Sequence, residues 1–294
     1  MAKDDLKIFF ELITKKTSLN QLSKKVKITQ PNLTYYKNGK CLMSESFFNY
    51  ALKLIGKTKK DFNYEILPPN WGCNKKKLKQ IKRQDEMTIE KVRIISHLLF
   101  DGTVCNKKGY YYIRFICSSP KVIRQFINDI KIVYGLEKYE TYKENNNGCK
   151  SISINSILLI QDLMNFANTY SCKSKDICIP NVIKYGKIDF KREFLRCFWS
   201  DEGGIVVTQK TKRFFLIGAQ KNISFLREIA KLHKNFGIKY RIYEKLFRID
   251  IIKKSEQKKF LERIGFLDGS LVTKGNYKGM EKNILLKKLL FNKI

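Results

Sequence analysis

The chain has 294 residues, of which 59 are Lys or Arg and 27 are Asp or Glu, and its formal net charge is +32. Hydrophobic residues make up 43% of the sequence and aromatic residues 13%. This is enough apolar material for packed cores, so the composition excludes a disordered basic tail or a histone-like arm. The excess of positive charge favours a polyanionic partner, because each Lys or Arg placed near a phosphate releases condensed counterions.

Cysteine and histidine usage narrows the chemistry. The eight cysteines include no CxxC pair, and the two histidines, His97 and His233, are too few for a nuclease built on paired histidine ligands. The sequence shows no signal peptide and no uninterrupted apolar run of about 18 residues. We therefore expect a cytoplasmic protein without membrane contact, associated with a prokaryotic nucleoid or located in an organelle.

Residues 1–58 show the apolar spacing of helices and contain no convincing strand. Within them, residues 18–40 look like a helix-turn-helix of the phage-repressor type. Ser18 and Thr29 are placed to cap two successive helices, Pro31 suits a first helical turn, and Gly39 would end the second helix. The second helix would present base or phosphate contacts from Gln30, Asn32, Thr34, Tyr35 and Lys37. A small helical bundle with the same caps and no DNA is the alternative.

Residues 59–87 have the composition of a linker, with two adjacent prolines, an Asn, a Gly and a run of basic residues. The run includes three consecutive lysines that we expect to contact DNA, Lys75, Lys76 and Lys77.

The remainder of the chain repeats itself. Residues 94–102 and 195–203 each form an apolar stretch of helical character that ends in an acid and a glycine, and the two copies are 101 positions apart. Each copy is followed by a pattern of two strands, a helix, two strands and a helix. Gly135 and Gly237 close the middle helices. The sequence therefore predicts two αββαββα halves in an α+β protein.

Strand parity indicates which face of each sheet is open. In residues 110–117, Ile113 and Phe115 alternate with Tyr112 and Arg114, which predicts one core face and one aromatic and basic face. In the second half, the same alternation places Phe247, Ile249 and Ile251 on the core face. The polar faces are left for a ligand. Candidate DNA contacts on the sheets are Lys107, Tyr112, Arg114, Lys143, Lys210, Arg213, Arg241 and Arg248.

The two acid-glycine helices resemble the LAGLIDADG family of homing endonucleases, in the form that carries both motifs on one chain. Residues 194–205 are the closer copy, and residues 179–183 resemble the linker between the family's halves. The resemblance implies a monomeric pseudo-dimer whose sheets form a DNA-binding saddle. Its halves would be residues 88–170 and residues 188–294, the latter including a C-terminal tail, with residues 171–187 as the linker between them.

Parallel packing of the motif helices would bring Asp101 and Glu202 together at the centre of the sheet surface, with Ser96 and Cys197 where the backbones approach. Two carboxylates cannot share that place unscreened, so we expect them to bind a divalent cation, most simply Mg²⁺. The cation would polarise the scissile phosphates and make bound water more acidic. The alternative is that the two acid-glycine pairs simply terminate core helices.

The family also places basic residues near its metals. Lys253 and Lys254, at the end of the last strand, resemble that position and are candidates for catalytic assistance, with contact to the phosphate backbone as the alternative role. Phe100 and Asp201 stand just before the two acids, where the family usually has a small residue, so the helix interface must be adjusted there.

The leading hypothesis is a Mg²⁺-dependent homing endonuclease, a hydrolase that makes a staggered double-strand break in a long asymmetric DNA target. Two alternatives remain open: a transcriptional regulator that binds DNA on the same scaffold without cutting it, and a maturase that binds intron RNA.

Overall fold

The computed structural model of the chain describes residues 3–41, 43–62, 86–107, 110–136, 139–143, 149–171, 174–208 and 213–291. The chain divides into two compact units, residues 1–82 and residues 83–294. Four of the expected DNA contacts, Lys75, Lys76, Lys77 and Lys210, lie outside the described residues. Among the helices described, none is long and apolar enough to cross a bilayer.

The described part of the first unit contains four helices around a small aromatic core. They are α1 (Lys3–Lys16), α2 (Leu19–Val26), α3 (Gln30–Lys37) and α4 (Glu45–Ile55). A 3-10 turn, Lys59–Asp61, follows them. Phe9 and Phe10 of α1, Leu33 of α3 and Phe47 of α4 are all buried in the core. The unit thus packs as a bundle in which α2 and α3 are joined by a three-residue turn.

The caps of α2 and α3 follow the sequence prediction with one exception. Ser18 accepts a hydrogen bond from the Gln21 amide at 3.2 Å, and the Gln21 side chain accepts one from the Ser18 amide at 3.4 Å, which makes a capping box. Thr29 occupies the cap position of α3 but makes no side-chain hydrogen bond there, so its expected capping role is wrong. Gly39 reverses the chain after α3 with a φ of 63°.

The second unit consists of two halves of the same αββαββα order, as predicted. The first half contains α5 (Ile89–Phe100), β1 (Gly102–Lys107), β2 (Tyr110–Cys117), α6 (Pro120–Tyr134), β3 (Glu140–Lys143), β4 (Lys150–Asn155) and α7 (Ile157–Met164). A short helix, α8 (Asn181–Lys184), precedes the second half. That half contains α9 (Ile188–Asp201), β5 (Gly203–Val207), β6 (Phe214–Ala219), α10 (Ile223–Leu232), β7 (Arg241–Tyr243), β8 (Arg248–Ile251) and α11 (Lys254–Arg263). The region expected as a C-terminal tail contains a further helix, α12 (Lys282–Phe291).

Each half has its own four-stranded antiparallel sheet. The strand orders are β1-β2-β4-β3 and β5-β6-β8-β7, so the second sheet repeats the first. Ile113 and Phe115 of β2 are fully buried, as the strand parity predicts, and they pack beneath α5 and α6. Gly135 and Gly237 both adopt positive φ, 65° and 62°, and reverse the chain after the middle helical segments.

The predicted parity fails at Phe247. This residue has a left-handed backbone, with a φ of 51°, and it precedes β8 instead of belonging to it. Its amide donates to the carbonyl of Glu244, which closes a 3-10 turn, and its side chain is 45% exposed. The tight turn between β7 and β8 therefore takes a residue that alternation alone assigns to the core.

Candidate active site between the motif helices

Helices α5 and α9 pack against each other and end at the two acids. Asp101 follows the last residue of α5, and Glu202 follows the last residue of α9. A Cβ atom placed on Gly102 would lie 2.5 Å from the Leu98 Cα, and one placed on Gly203 would lie 2.7 Å from the Trp199 carbonyl oxygen. Only glycine allows each strand to begin so close to the last turn of its helix, and each acid lies at this junction between helix and strand.

At the interface between α5 and α9, positions that are equivalent in the two motifs carry different side chains and make different contacts. Ser96 and Cys197, which share one position of the repeat, are fully buried. Phe100 of α5 crosses to α9, where its ring centroid lies 5.4 Å from that of Phe198. Asp201 and His97 occupy the same two positions with the halves exchanged, and the Asp201 Oδ2 lies 2.7 Å from the His97 Nδ1.

The polar pair carries charge in the protein interior. The side chains of His97 and Asp201 are 0% and 2% exposed. Burial by itself would lower the pKa of His97, but the adjacent carboxylate of Asp201 raises it well above its usual value. His97 is therefore cationic near neutral pH. Asp201, the extra acid of the second motif, is held by this imidazolium inside the helix interface.

By surface area, Asp101 is exposed and Glu202 is half-buried. Partial desolvation by the surrounding protein atoms, followed by the charges of Asp201 and Glu202, raises the pKa of Asp101 to about 8. Desolvation and the charge of Asp201 raise the pKa of Glu202 to about 7. The site thus concentrates negative charge that its own cations do not fully balance.

This donor set fits a hard divalent cation. Asp101 and Glu202 supply two carboxylates, and a cation beside them would offset both the desolvation and the negative charge of Asp201, which raise their pKa values. In the described residues, no group of three or more His, Cys, Asp or Glu side chains is arranged to enclose a metal. Mg²⁺ accepts such an incomplete site, because it commonly keeps several waters and takes further ligands from substrate phosphates.

Residues 189–265, which run from the start of α9 to just past α11, match the family model of the LAGLIDADG-like domain. The second half of the second unit is therefore similar to a LAGLIDADG-like domain. The first half repeats the strand order and the motif of the matched half.

Two solved structures are similar to this chain at low identity. The structure of I-DmoI in complex with DNA and Mn is 15% identical, with 60% of this chain and 96% of that chain covered and a TM-score of 0.44. Full-length DUF199/WhiA from Thermatoga maritima is 15% identical, with 70% of this chain and 62% of that chain covered and a TM-score of 0.45. The sequence matches no curated protein. At such identities, nothing about activity passes from those structures to this chain.

The two lysines expected to assist the motif acids lie at the end of β8 that is farther from Glu202. The Ala219 amide donates to the Glu202 carbonyl at 3.1 Å, and Ala219 pairs with Arg248 at the start of β8. Lys253 and Lys254 come after Ile251, at the opposite end of that strand. The structure therefore does not bring these two lysines together with the carboxylates, because β8 runs away from the acids.

Two other lysines, which the sequence did not single out, influence the acids instead. Lys221 lies just beyond β6, and its charge opposes the rise in the pKa of Glu202. Lys282 begins α12 and is buried, and its charge opposes the rise in the pKa of Asp101. Burial lowers the pKa of Lys282 to about 8. Lys221 could have been found from its position after the strand that neighbours β5, whereas nothing in the sequence around Lys282 marks it.

The open face of the first sheet is polar, as expected. Arg114 lies between two tyrosines, with its guanidinium carbon 5.9 Å from the Tyr112 ring centroid and 5.5 Å from that of Tyr142. It is paired in register with Ser153. Within the described part of the chain, the buried Arg114 Nε and Ser151 Oγ find no hydrogen-bond partner. Unsatisfied buried groups are uncommon in proteins, and these two lie on the face left open to a ligand.

The open face of the second sheet is more apolar. Register places Val206, Phe215 and Ile217 on it, all at least partly accessible to solvent. Its main charged group is Arg248, which donates to Asp250 at 3.0 Å and lies 5.0 Å from the Tyr243 ring centroid.

The remaining predicted sheet contacts divide into two groups. Arg213 and Arg241 are exposed, in keeping with their predicted role. Lys107 pairs with Tyr110, and Lys143 pairs with Lys150, but the side chains of these two lysines lie outside what the structure describes.

Proposed function

We propose that this protein is a divalent-metal-dependent DNA endonuclease of the LAGLIDADG family, which makes a staggered double-strand break in a long asymmetric target. The observation that carries the proposal is the meeting of Asp101 and Glu202 at the ends of two paired helices, between two sheets with open faces. Desolvation, followed by neighbouring negative charge, raises the pKa of each acid. Keeping such a cluster has a cost in stability that a purely structural helix end would not require.

Asp101 and Glu202 would hold the cation, for which we propose Mg²⁺. When bound, a cation of this kind polarises a phosphate oxygen and lowers the pKa of coordinated water. The protein's own groups do the rest. The two carboxylates accept protons or a cation at the centre of the site, His97 keeps Asp201 away from it, and Lys221 adds positive charge beside Glu202 where phosphate charge must be accommodated.

The sheets would hold the duplex on either side of the cut. The formal charge of +32 supplies the attraction to phosphates, and the exposed or half-exposed side chains of Tyr112, Arg114 and Arg248 are suited to contact base edges. Because the two halves are not identical, one copy of the chain suffices to bind a target without symmetry. We therefore propose a monomer, which light scattering after gel filtration would test.

The first unit would read additional DNA. Four of the residues predicted for α3, namely Gln30, Asn32, Tyr35 and Lys37, are exposed. Thr34 differs, since its hydroxyl already donates to the Gln30 carbonyl at 3.0 Å. A second DNA-binding element on the same chain raises the effective concentration of the first at its target. Homing, with a gene placed within an intron and a nucleoid or organellar location, is the biological setting that we propose.

The test is cleavage of a library of long duplexes with Mg²⁺ or with Ca²⁺, followed by sequencing of the ends. We expect ends with Mg²⁺ that disappear in Asp101→Asn and in Glu202→Gln, while binding in Ca²⁺ persists. Asp176→Asn, an exposed acid between the halves, is the matched control and should cut normally. Cleavage that survives in both site variants would overturn the proposal.

A non-cleaving regulator is the second candidate, favoured by the helical unit with its exposed polar α3. Tight, sequence-specific binding without any new ends, in every metal tested, would support the regulator. Preferential binding of structured intron RNA over duplex DNA would instead support a maturase.

A further inference from the structure

The segment that follows the matched domain returns to the active site. Lys282, the first residue of α12, is 5% exposed, and its Nζ donates to the carbonyl oxygens of Ser200 and Gly203 at 2.7 Å each. The Trp199 carbonyl lies farther away, at 3.4 Å. These carbonyls belong to the last turn of α9 and to the residue after Glu202. One ammonium group therefore holds the backbone on both sides of a candidate catalytic acid.

The last carbonyls of a helix have no partner within the helix, and a cation near them also interacts favourably with the helix dipole. α4 and α6 end at glycines with a left-handed backbone, Gly56 and Gly135. At the end of α9, Glu202 is the C-cap residue and its amide donates to the Phe198 carbonyl, and the chain then enters β5 at Gly203. Lys282 supplies donors to the Ser200 and Gly203 carbonyls from outside the helix.

The same segment is anchored to the first half. Glu281 forms an ion pair with Lys121 of α6 at 2.8 Å, and the Ser119 hydroxyl donates to the Gly269 carbonyl. Gly269 has a φ of 78°, and a Cβ atom there would lie 2.4 Å from the Lys121 Cβ. The chain from Gly269 to Lys282 thus runs between the start of α6 and the end of α9, touching both halves.

We propose that Lys282 is a positioning residue for Glu202, and that the strap formed by residues 269–282 fixes the end of α9 relative to the half that carries Asp101. The proposal rests on the proposed endonuclease function. Packing alone does not account for Lys282, because an ammonium is costly to bury and an apolar side chain of similar length would fill the space next to Phe266. The charged group is needed for the carbonyls that it holds.

The test compares full-length Lys282→Met, which keeps length and volume, with Lys282→Arg, which keeps the charge and donors. Lys287→Met, an exposed lysine on the same helix, is the matched control. For each variant we would measure duplex affinity in Ca²⁺, the single-turnover cleavage rate in Mg²⁺, and hydrogen exchange of the amides in residues 199–207. A catalytic group displaced by about 1 Å can cost about 100-fold in rate, so the rate is a sensitive readout.

We expect Lys282→Met to lower the single-turnover rate by at least about 10-fold. Its affinity in Ca²⁺ should stay within about two-fold of the starting protein, because the sheets are untouched. Lys282→Arg should recover most of the rate, and amide exchange in residues 199–207 should accelerate in Lys282→Met alone. Unchanged rate and exchange in Lys282→Met, or equal losses in Lys287→Met, would overturn the proposal.

If the starting protein cuts no duplex, the endonuclease function fails, and hydrogen exchange alone then decides whether Lys282 holds the end of α9. Exchange that accelerates in Lys282→Met and returns toward normal in Lys282→Arg would support the positioning role. Exchange that is the same in all variants would refute it.

Discussion

His97 and Asp201 form an ion pair where the pseudo-symmetric positions of the other half, Phe198 and Phe100, form an aromatic contact. Phe100 comes just before Asp101 on α5 and contacts Phe198 of α9, while Asp201 comes just before Glu202 on α9 and contacts His97 of α5. In each motif, the residue before the terminal acid therefore contacts the partner helix. The pairing explains how this chain accommodates bulky residues at positions where the family usually has small ones. The two contacts differ in polarity while filling equivalent space.

Removing only the imidazole should be strongly destabilising. His97→Phe leaves the buried Asp201 carboxylate without its hydrogen-bonded imidazolium partner, and the expected loss in the free energy of unfolding is about 3 to 5 kcal/mol, measured by urea denaturation. Replacing both partners, as His97→Phe with Asp201→Phe, copies the aromatic contact of the other half and should recover most of that loss. A double variant no more stable than His97→Phe alone would show that the two sites are not equivalent.

The same double variant should change the pH dependence of the site. Asp201 raises the pKa of Glu202, so its removal should bring that pKa down. At Asp101, the loss of the Asp201 charge is opposed by the loss of the His97 charge, which lowers the Asp101 pKa in the starting protein. Single-turnover cleavage in Mg²⁺ should therefore reach its plateau at a lower pH wherever Glu202 limits the rate. A plateau at the same pH would mean that Asp201 does not act on Glu202.

The raised pKa of Asp101 predicts how stability depends on pH without metal. Its pKa moves from 3.8 to about 8 in the folded protein. The folded state therefore holds a proton that the unfolded state has lost, and stability falls as pH rises from about 4 toward 8. His97 contributes a decline of the same sign, so the informative quantity is the difference between proteins. Asp101→Asn should show a shallower fall in melting temperature between pH 6 and 8, whereas Asp176→Asn should follow the starting protein.

Glycines of the second motif offer a test within two adjacent positions. Gly203→Ala would place a methyl group 2.7 Å from the Trp199 carbonyl oxygen, while Gly204→Ala meets nothing within 4 Å. We expect Gly203→Ala to destabilise the protein by about 1 to 3 kcal/mol, and Gly204→Ala to leave it nearly unchanged. Thermal denaturation of the two variants decides the matter. Equal losses of stability in the two variants would mean that the close approach of Gly203 to the last turn of α9 is not required.

Salt dependence tests the role of the positive charge. If about ten basic groups meet phosphates, log affinity for duplex DNA should fall with log salt at a slope near −9. Arg114→Gln, which removes a charge from the open face of the first sheet, should reduce the slope by about one if it contacts a phosphate. A slope near −2 for the starting protein would show that most of the charge lies away from the DNA.

Most of the fold could be predicted because local pattern and global arrangement agree. The repeat of an acid and a glycine after an apolar helix, together with the strand alternation at Ile113 and Phe115, is a local signal that specifies both halves. The sequence pattern misplaces Phe247 because a residue with a left-handed backbone has no sequence signature when it is not glycine. The alternation around it continues into β8, so periodicity assigns it to the strand.

The candidate site could be predicted only in part. Asp101 and Glu202 follow from the motif itself, since the helix that carries each acid also determines where it ends. Lys282 does not, because its contacts with Ser200 and Gly203 depend on how a distant segment folds back. The prediction that Lys253 assists catalysis rests on its position after the last strand. Its distance from Glu202 depends on the direction of β8, which the sequence does not reveal.

The different faces of the two sheets have a consequence for the target. On the second sheet, aliphatic side chains such as Val206 and Ile217 can pack on the methyl group of thymine but cannot form hydrogen bonds with bases. On the first sheet, the tyrosines, Arg114 and the serines can form such hydrogen bonds. Because the sheets share no strand pairing, each can change its side chains without disturbing the other. In the DNA complex that we propose, the two sheets would therefore contact separate parts of the target, and mutations in one sheet could change one part of the recognised sequence while the other part stays the same.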